Sequence, residues 1–218
     1  TKIRKGRKGQ SITRQSDLKA IVDMVNNQLE NDKNASIPLA VYYPVNRAVI
    51  EIPLKIRTKH QFDQLSAYDQ ALSGQRNDFR LFFEWYRDRE DLENENARLF
   101  FTRKEAHKIR KNSGRSSFDD PQLIAVRKAI EGFLPGFSGL RVQRAPLRMT
   151  IEKRGEELVI NQLSDGEKIT LALVGDLARR LAIANPGLKN PLEGEGVILI
   201  DEVELHLHPG WQSTIVQR

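Results

Sequence analysis

Apolar residues recur at helical spacing near the C-terminal end of this chain. Between Lys168 and Ala184, residues Ile169, Leu173, Val174, Leu177, Leu181 and Ala182 fall at three- and four-residue steps, and Pro186-Gly187 ends the pattern. This predicts a helix whose N-terminus lies at Ser164 to Gly166. The same spacing at Leu18, Ile21, Val22, Val25 and Leu29 predicts a helix over 16–31, and Ile37 to Tyr43 reads as a strand halted by Pro44. Gln61 to Lys111 is strongly charged, with an interrupted apolar face of Leu81, Trp85, Leu92, Leu99 and the Phe pairs 82/83 and 100/101. It reads as a helical insertion that packs its aromatics and exposes its Arg/Glu face. Asn112 to Pro121 is a linker by its turn-forming residues. After it come a helix over Gln122 to Leu134 and three short strands, Leu140 to Gln143, Leu147 to Lys153 and Glu157 to Ile160, with a turn at Arg154-Gly155. Val197 to Ile200 is an unbroken aliphatic run, preceded by Gly194 and Gly196 and followed by Asp201-Glu202. That pattern predicts a buried central strand of a parallel sheet.

Two of these element ends carry candidate chemistry. At a helix N-terminus the unpaired N–H groups and the macrodipole favour an anion, so Ser164 and Gly166 suit a phosphate: the hydroxyl donates, and glycine allows close approach. Ligands of parallel sheets bind beyond the C-terminal ends of the strands. Asp201 there suits magnesium, a hard cation that takes carboxylate oxygen and keeps several waters, and Glu202 suits a base or orienting group for an attacking water. Each end also has a plainer reading: Ser164 with Glu167 forms a capping box, and an Asp-Glu pair after a strand is a common surface turn.

The order of these features resembles the ATP-binding-cassette class of ATPases, in the branch that includes RecF, the SMC proteins and the OLD-like enzymes. Leu163-Ser164-Asp165-Gly166-Glu167 is similar to the signature motif, and Val197 to Glu202 to the Walker B strand. The run Asp201-Glu202-Val203-Glu204-Leu205-His206-Leu207-His208-Pro209 resembles the OLD and RecF-like branch, where a histidine-proline follows the acidic pair. Tyr42 to Arg47, Ala67 to Leu72 and Phe82 to Asp91 resemble one subgroup, the PtuA-like ATPases of Septu and retron anti-phage systems.

The resemblance implies an α/β fold, an ABC-type (RecF/SMC-like) P-loop ATPase core with a helical insertion. It implies ATP and Mg2+ as cofactors, with Leu163, Ser164, Asp165, Gly166, Glu167 and His208 contacting nucleotide, Asp201 holding the metal and Glu202 catalytic. In this class the signature residues meet the nucleotide of a second subunit, which implies at least a homodimer. The subgroup further implies an HNH nuclease subunit and, in retron versions, a reverse transcriptase with its DNA-RNA product. Two other readings stay open: a DNA-repair or chromosome ATPase of the RecF or SMC kind, and a non-hydrolysing scaffold that uses nucleotide to hold an assembly.

No Gly-x-x-x-x-Gly-Lys-[Ser/Thr] occurs in the sequence. The expectation is therefore a middle section of a longer protein, with residues 1–60 belonging to an N-terminal ATPase lobe, 61–112 the insertion and 113–218 the C-terminal lobe. Composition narrows the class. The absence of cysteine excludes disulfides and cysteine-based zinc sites, and no apolar run approaches the length of a membrane span, so the expected location is the cytoplasm. The formal charge of +6 is concentrated at Lys2 to Arg14 and at Arg103 to Arg115, either a nucleic-acid footprint or solvated loops. His206 and His208 have no third partner at zinc-ligand spacing, and His60 and His107 carry no pattern.

Overall fold

The computed structural model describes residues 2–5, 10–13, 15–45, 48–49, 60–73, 77–102 and 119–202. Strands β1 (Lys2–Lys5) and β2 (Gln10–Thr13) pair antiparallel and lead to helix α1 (Gln15–Asn31). Strand β3 (Leu39–Tyr43) follows, then β4 (Ala48–Val49), which pairs in parallel with β5 (Asn77–Asp78) after a 3-10 turn at Gln64–Tyr68. Helix α2 (Phe79–Thr102) and helix α3 (Pro121–Phe133) come next. Asp120 caps α3 by accepting from the amides of Gln122 and Leu123, and Pro121 opens it where no amide is needed.

An antiparallel meander of β6 (Phe137–Arg144), β7 (Leu147–Lys153) and β8 (Glu156–Val159) leads into helix α4 (Asp165–Ala184). Strand β9 (Gly196–Ile200) then pairs in parallel with β3, from Leu39 opposite Gly196 to Tyr43 opposite Ile200. The two backbones come close at the start of this pairing: a Cβ on Gly196 would stand 2.5 Å from the Leu39 carbonyl oxygen.

The main core lies between α2, α3, α4 and the meander. Phe79, Phe82, Phe83, Trp85 and Tyr86 recur at helical spacing on α2 and are buried against Leu123 and Val126 of α3, Met149 and Ile151 of β7, and Leu171 of α4. Gly175 of α4 lets Phe82 approach, since a Cβ there would be 3.0 Å from two ring carbons. A second cluster joins Leu39, Val41 and Tyr43 of β3 to Leu173, Leu177 and Leu181 of α4.

Three expectations change. The helix of the charged segment begins at Phe79, while 60–73 forms turns around the 3-10 element, with Asp63 accepting from the Ser66 amide. Phe82, Phe83 and Trp85 are buried as expected, while the side chains of Phe100 and Phe101 lie outside the description; Glu84 and Glu90 are buried too. Glu90 accepts from the Val142 amide at 3.0 Å and pairs with Arg144 at 2.6 Å, locking the middle of α2 to β6 while Leu92 and Leu99 beyond it are exposed. Finally, β9 is parallel as predicted but not buried: Val197, Ile198 and Leu199 are 61%, 41% and 54% exposed. Among the described residues β9 pairs only with β3, so the aliphatic run records β propensity without saying what covers it.

Candidate functional site

Helix α4 begins where the periodicity places it. Ser164 is its N-cap, with extended backbone; its hydroxyl accepts from the Glu167 amide at 3.4 Å, and the Glu167 carboxylate accepts from the Ser164 amide at 3.0 Å. The capping box is therefore formed. Leu163 is buried beneath it, Ser164 and Asp165 are exposed, and Gly166 is half-buried. Glu167 also pairs with Lys153, the last residue of β7, at 2.8 Å, which ties the meander to the helix start. Burial would raise the Glu167 pKa, but the bonds from Lys153 and Ser164 outweigh it and hold the carboxyl below its ordinary value. Asp165 pairs with Lys168 at 3.5 Å.

At the other end, Asp201 and Glu202 follow β9 and are exposed. The Asp201 amide donates to the Tyr43 carbonyl at 2.9 Å, which extends the β3–β9 pairing by one bond. Glu202 has a φ of +44°, the left-handed region that side chains rarely adopt. His208 lies outside the described residues, as do 103–118 and with them the second basic run.

Two bonds set the relation between these ends. The Ile37 amide donates to the Ala184 carbonyl at the last turn of α4, and the Tyr43 hydroxyl donates to Asp176 at 2.9 Å. Helix α4 thus runs antiparallel to β3, with its N-terminus toward the same side as the C-terminal ends of β3 and β9. Asp165 is eleven residues nearer the helix start, about 16 Å of helix from Asp176 at 1.5 Å per residue. Ser164 and Asp201 thus stand on different elements, the start of α4 and the residue after β9.

The residues at each end fit their group. Among the described residues no cluster of three or more possible metal ligands occurs. Asp201 offers an exposed carboxylate, the oxygen ligand that magnesium takes alongside water and phosphate.

Residues 57–218 match the family described as "AAA domain, putative AbiEii toxin, Type IV TA system". The chain belongs to this AAA family. It is 37% identical over 229 residues to the "Retron Ec83 probable ATPase" of Escherichia coli, covering 85% of this chain and 42% of that protein. It is 36% identical over 234 residues to the "Retron Vc95 probable ATPase" of Vibrio cholerae serotype O1 biovar El Tor, covering 93% of this chain and 45% of the relative. A shorter match, 37% over 59 residues, covers 27% of this chain and 8% of the Septu protein PtuA of Bacillus mycoides (strain KBAB4). The resemblance to PtuA and retron ATPases thus holds, within an AAA family of mixed α/β structure. This AAA chain spans less than half the length of its two retron relatives. No helix among the described residues is long and apolar enough to cross a membrane.

Sequence reasoning missed a cluster on α4. Asp176 is buried and accepts from Arg179 and Arg180, both at 2.7 Å, besides Tyr43. Its burial would raise the pKa, but the two guanidinium groups together hold it below the ordinary value. Burial first, and the Asp176 charge second, push the Tyr43 phenol well above its usual range. The available signal was the spacing Asp176, Arg179, Arg180 inside an otherwise apolar helix.

Proposed function

We propose that this chain is part of an ATP-binding and ATP-hydrolysing subunit of a cytoplasmic anti-phage defence complex. Its core is of the ABC type (RecF/SMC-like), carries an insertion over 61–112 whose helix is α2, dimerises around ATP and controls a partner HNH nuclease. The observation that carries this reading is that Ser164 and Gly166 sit at the exposed tip of α4, about 16 Å of helix from Asp176, while Asp201 and Glu202 follow a different element, β9. A phosphate contact on one element and metal and water residues on another suit an arrangement in which two subunits each complete the other's site. The names of the retron relatives, matched over most of this chain, supply the defence context.

In this reading Ser164 and Gly166 donate to the terminal phosphate of the nucleotide bound by the second subunit, and Leu163, Asp165 and Glu167 shape and hold that turn. By the family resemblance His208 contributes to the contact with the same nucleotide. Asp201 holds Mg2+ in its own subunit. Magnesium ATP supplies the phosphoryl group and neutralises the charge that develops on it. Glu202 orients the attacking water and takes its proton. In a retron setting the partners include a reverse transcriptase with its DNA-RNA product.

The test uses the full-length protein. Glu202→Gln should still bind ATP, accumulate as a closed dimer in size-exclusion chromatography and lose turnover by about 10²- to 10⁴-fold. Turnover at the parental rate would remove Glu202 as the base. Co-purification of a small HNH protein separates the defence reading from a repair ATPase, which would instead show DNA-stimulated turnover without it.

A further inference from the structure

We infer that Asp176 is a positioning residue that sets the projecting tip of α4 relative to the strand end bearing Asp201 and Glu202, with Tyr43 as the link. This rests on the reading of those two ends given above. One Asp176 oxygen accepts from the Tyr43 hydroxyl at 2.9 Å and from Arg180 Nε at 2.7 Å; the other accepts from Arg179 at 2.7 Å. Tyr43 is the last residue of β3, and its own carbonyl takes the Asp201 amide. A path of two hydrogen bonds and one residue therefore joins the helix carrying Ser164 to the backbone of Asp201.

Arg180 closes the path into a ring. Its Nη1 donates to the carbonyls of Ala67 and Asp69 at 2.6 and 2.9 Å, in the turn whose Ala71 carbonyl takes the Tyr42 amide at 2.7 Å. Helix, turn and strand are thus pinned to one another at one level.

Stability alone does not explain this arrangement. Burying two cations and one anion is costly, and apolar residues of similar size would often hold such a contact as well or better. The ring is also incomplete: Arg179 is fully buried and its Nε has no acceptor among the described residues. A core built only to be stable would not keep that donor. What directional bonds add is one rotational and axial setting of the helix. Over the turns from Asp176 to Ser164 that setting fixes where the tip meets its phosphate.

The mild variant is Tyr43→Phe, which keeps the buried ring and removes the link. In the full-length protein it should lower kcat for ATP about tenfold while KM stays within about twofold and Tm moves little. Combined with Ser164→Ala, its loss should fall well short of the product of the two single losses, because both changes act on the same placement. Asp176→Asn should reproduce the effect with a larger loss of stability. Unchanged kcat per folded molecule in Tyr43→Phe, or a double variant whose loss equals the product, would overturn the coupling alone. Parental turnover in Glu202→Gln would instead remove the site assignment, and the coupling with it.

Discussion

The two halves of α4 are built on opposite terms. Its inner half, from Leu173 to Ala184, lies against β3 and contains the buried Asp176, Arg179 and Arg180. Its outer end, from Ser164 to Lys168, is closed by its own capping box and by Lys153, and leaves Ser164 and Asp165 exposed. One half holds the fold and the other offers hydrogen-bond donors. The separation lets the tip be solvent-facing without loosening the core, because its orphan amides are partly satisfied locally while the helix axis is fixed elsewhere.

Substitutions at the two halves should therefore differ in kind. The largest effect is expected from Asp176→Ala, which strands two buried guanidinium groups; chemical denaturation should show a loss of about 3–5 kcal/mol. A neutral result would break the contrast at its root. The same carboxyl gives the pH dependence. Its folded pKa lies below the unfolded value of about 3.9, so its contribution is complete above that value and is lost as pH falls through the folded pKa. Asp176→Asn should therefore flatten the acid limb of the stability profile without changing its form near neutrality.

Next comes Gly175→Ala. The added methyl would press on the fully buried Phe82 ring, and urea unfolding should show a loss of about 1–3 kcal/mol, reduced by the better helix propensity of alanine. The smallest stability change belongs to the outer end. Ser164→Ala removes the cap and should cost about 1 kcal/mol, yet it should reduce ATP turnover far more than Gly175→Ala does. If both variants lost turnover only in proportion to unfolded protein, the division between holding and contacting would be wrong.

How much of this was readable beforehand depended on whether a signal was local. The start of α4 was legible because a capping box is an exchange between residues three apart, and the turn at Arg154-Gly155 because glycine there must take a φ of +87°. The aromatic face of α2 was legible from its spacing. Glu90 was not, since its partners Val142 and Arg144 come from a strand far along the chain. Asp176, Arg179 and Arg180 were missed for a related reason: acid and base three or four residues apart look like an exposed helix pair. Only β3, brought from the other end of the chain, turns that pair inward. The exposure of β9 was equally hidden, because an aliphatic run specifies a strand without naming its cover.

The positive φ at Glu202 has a consequence for anyone who redesigns this chain. Glycine or asparagine relaxes a left-handed backbone that glutamate occupies at a cost of about 1–2 kcal/mol. A selection that scores only resistance to unfolding would reward that exchange, and the improved protein would have discarded the carboxylate proposed here as the base. With Glu202 as the proposed base, thermal robustness and turnover pull the choice of amino acid at position 202 in opposite directions.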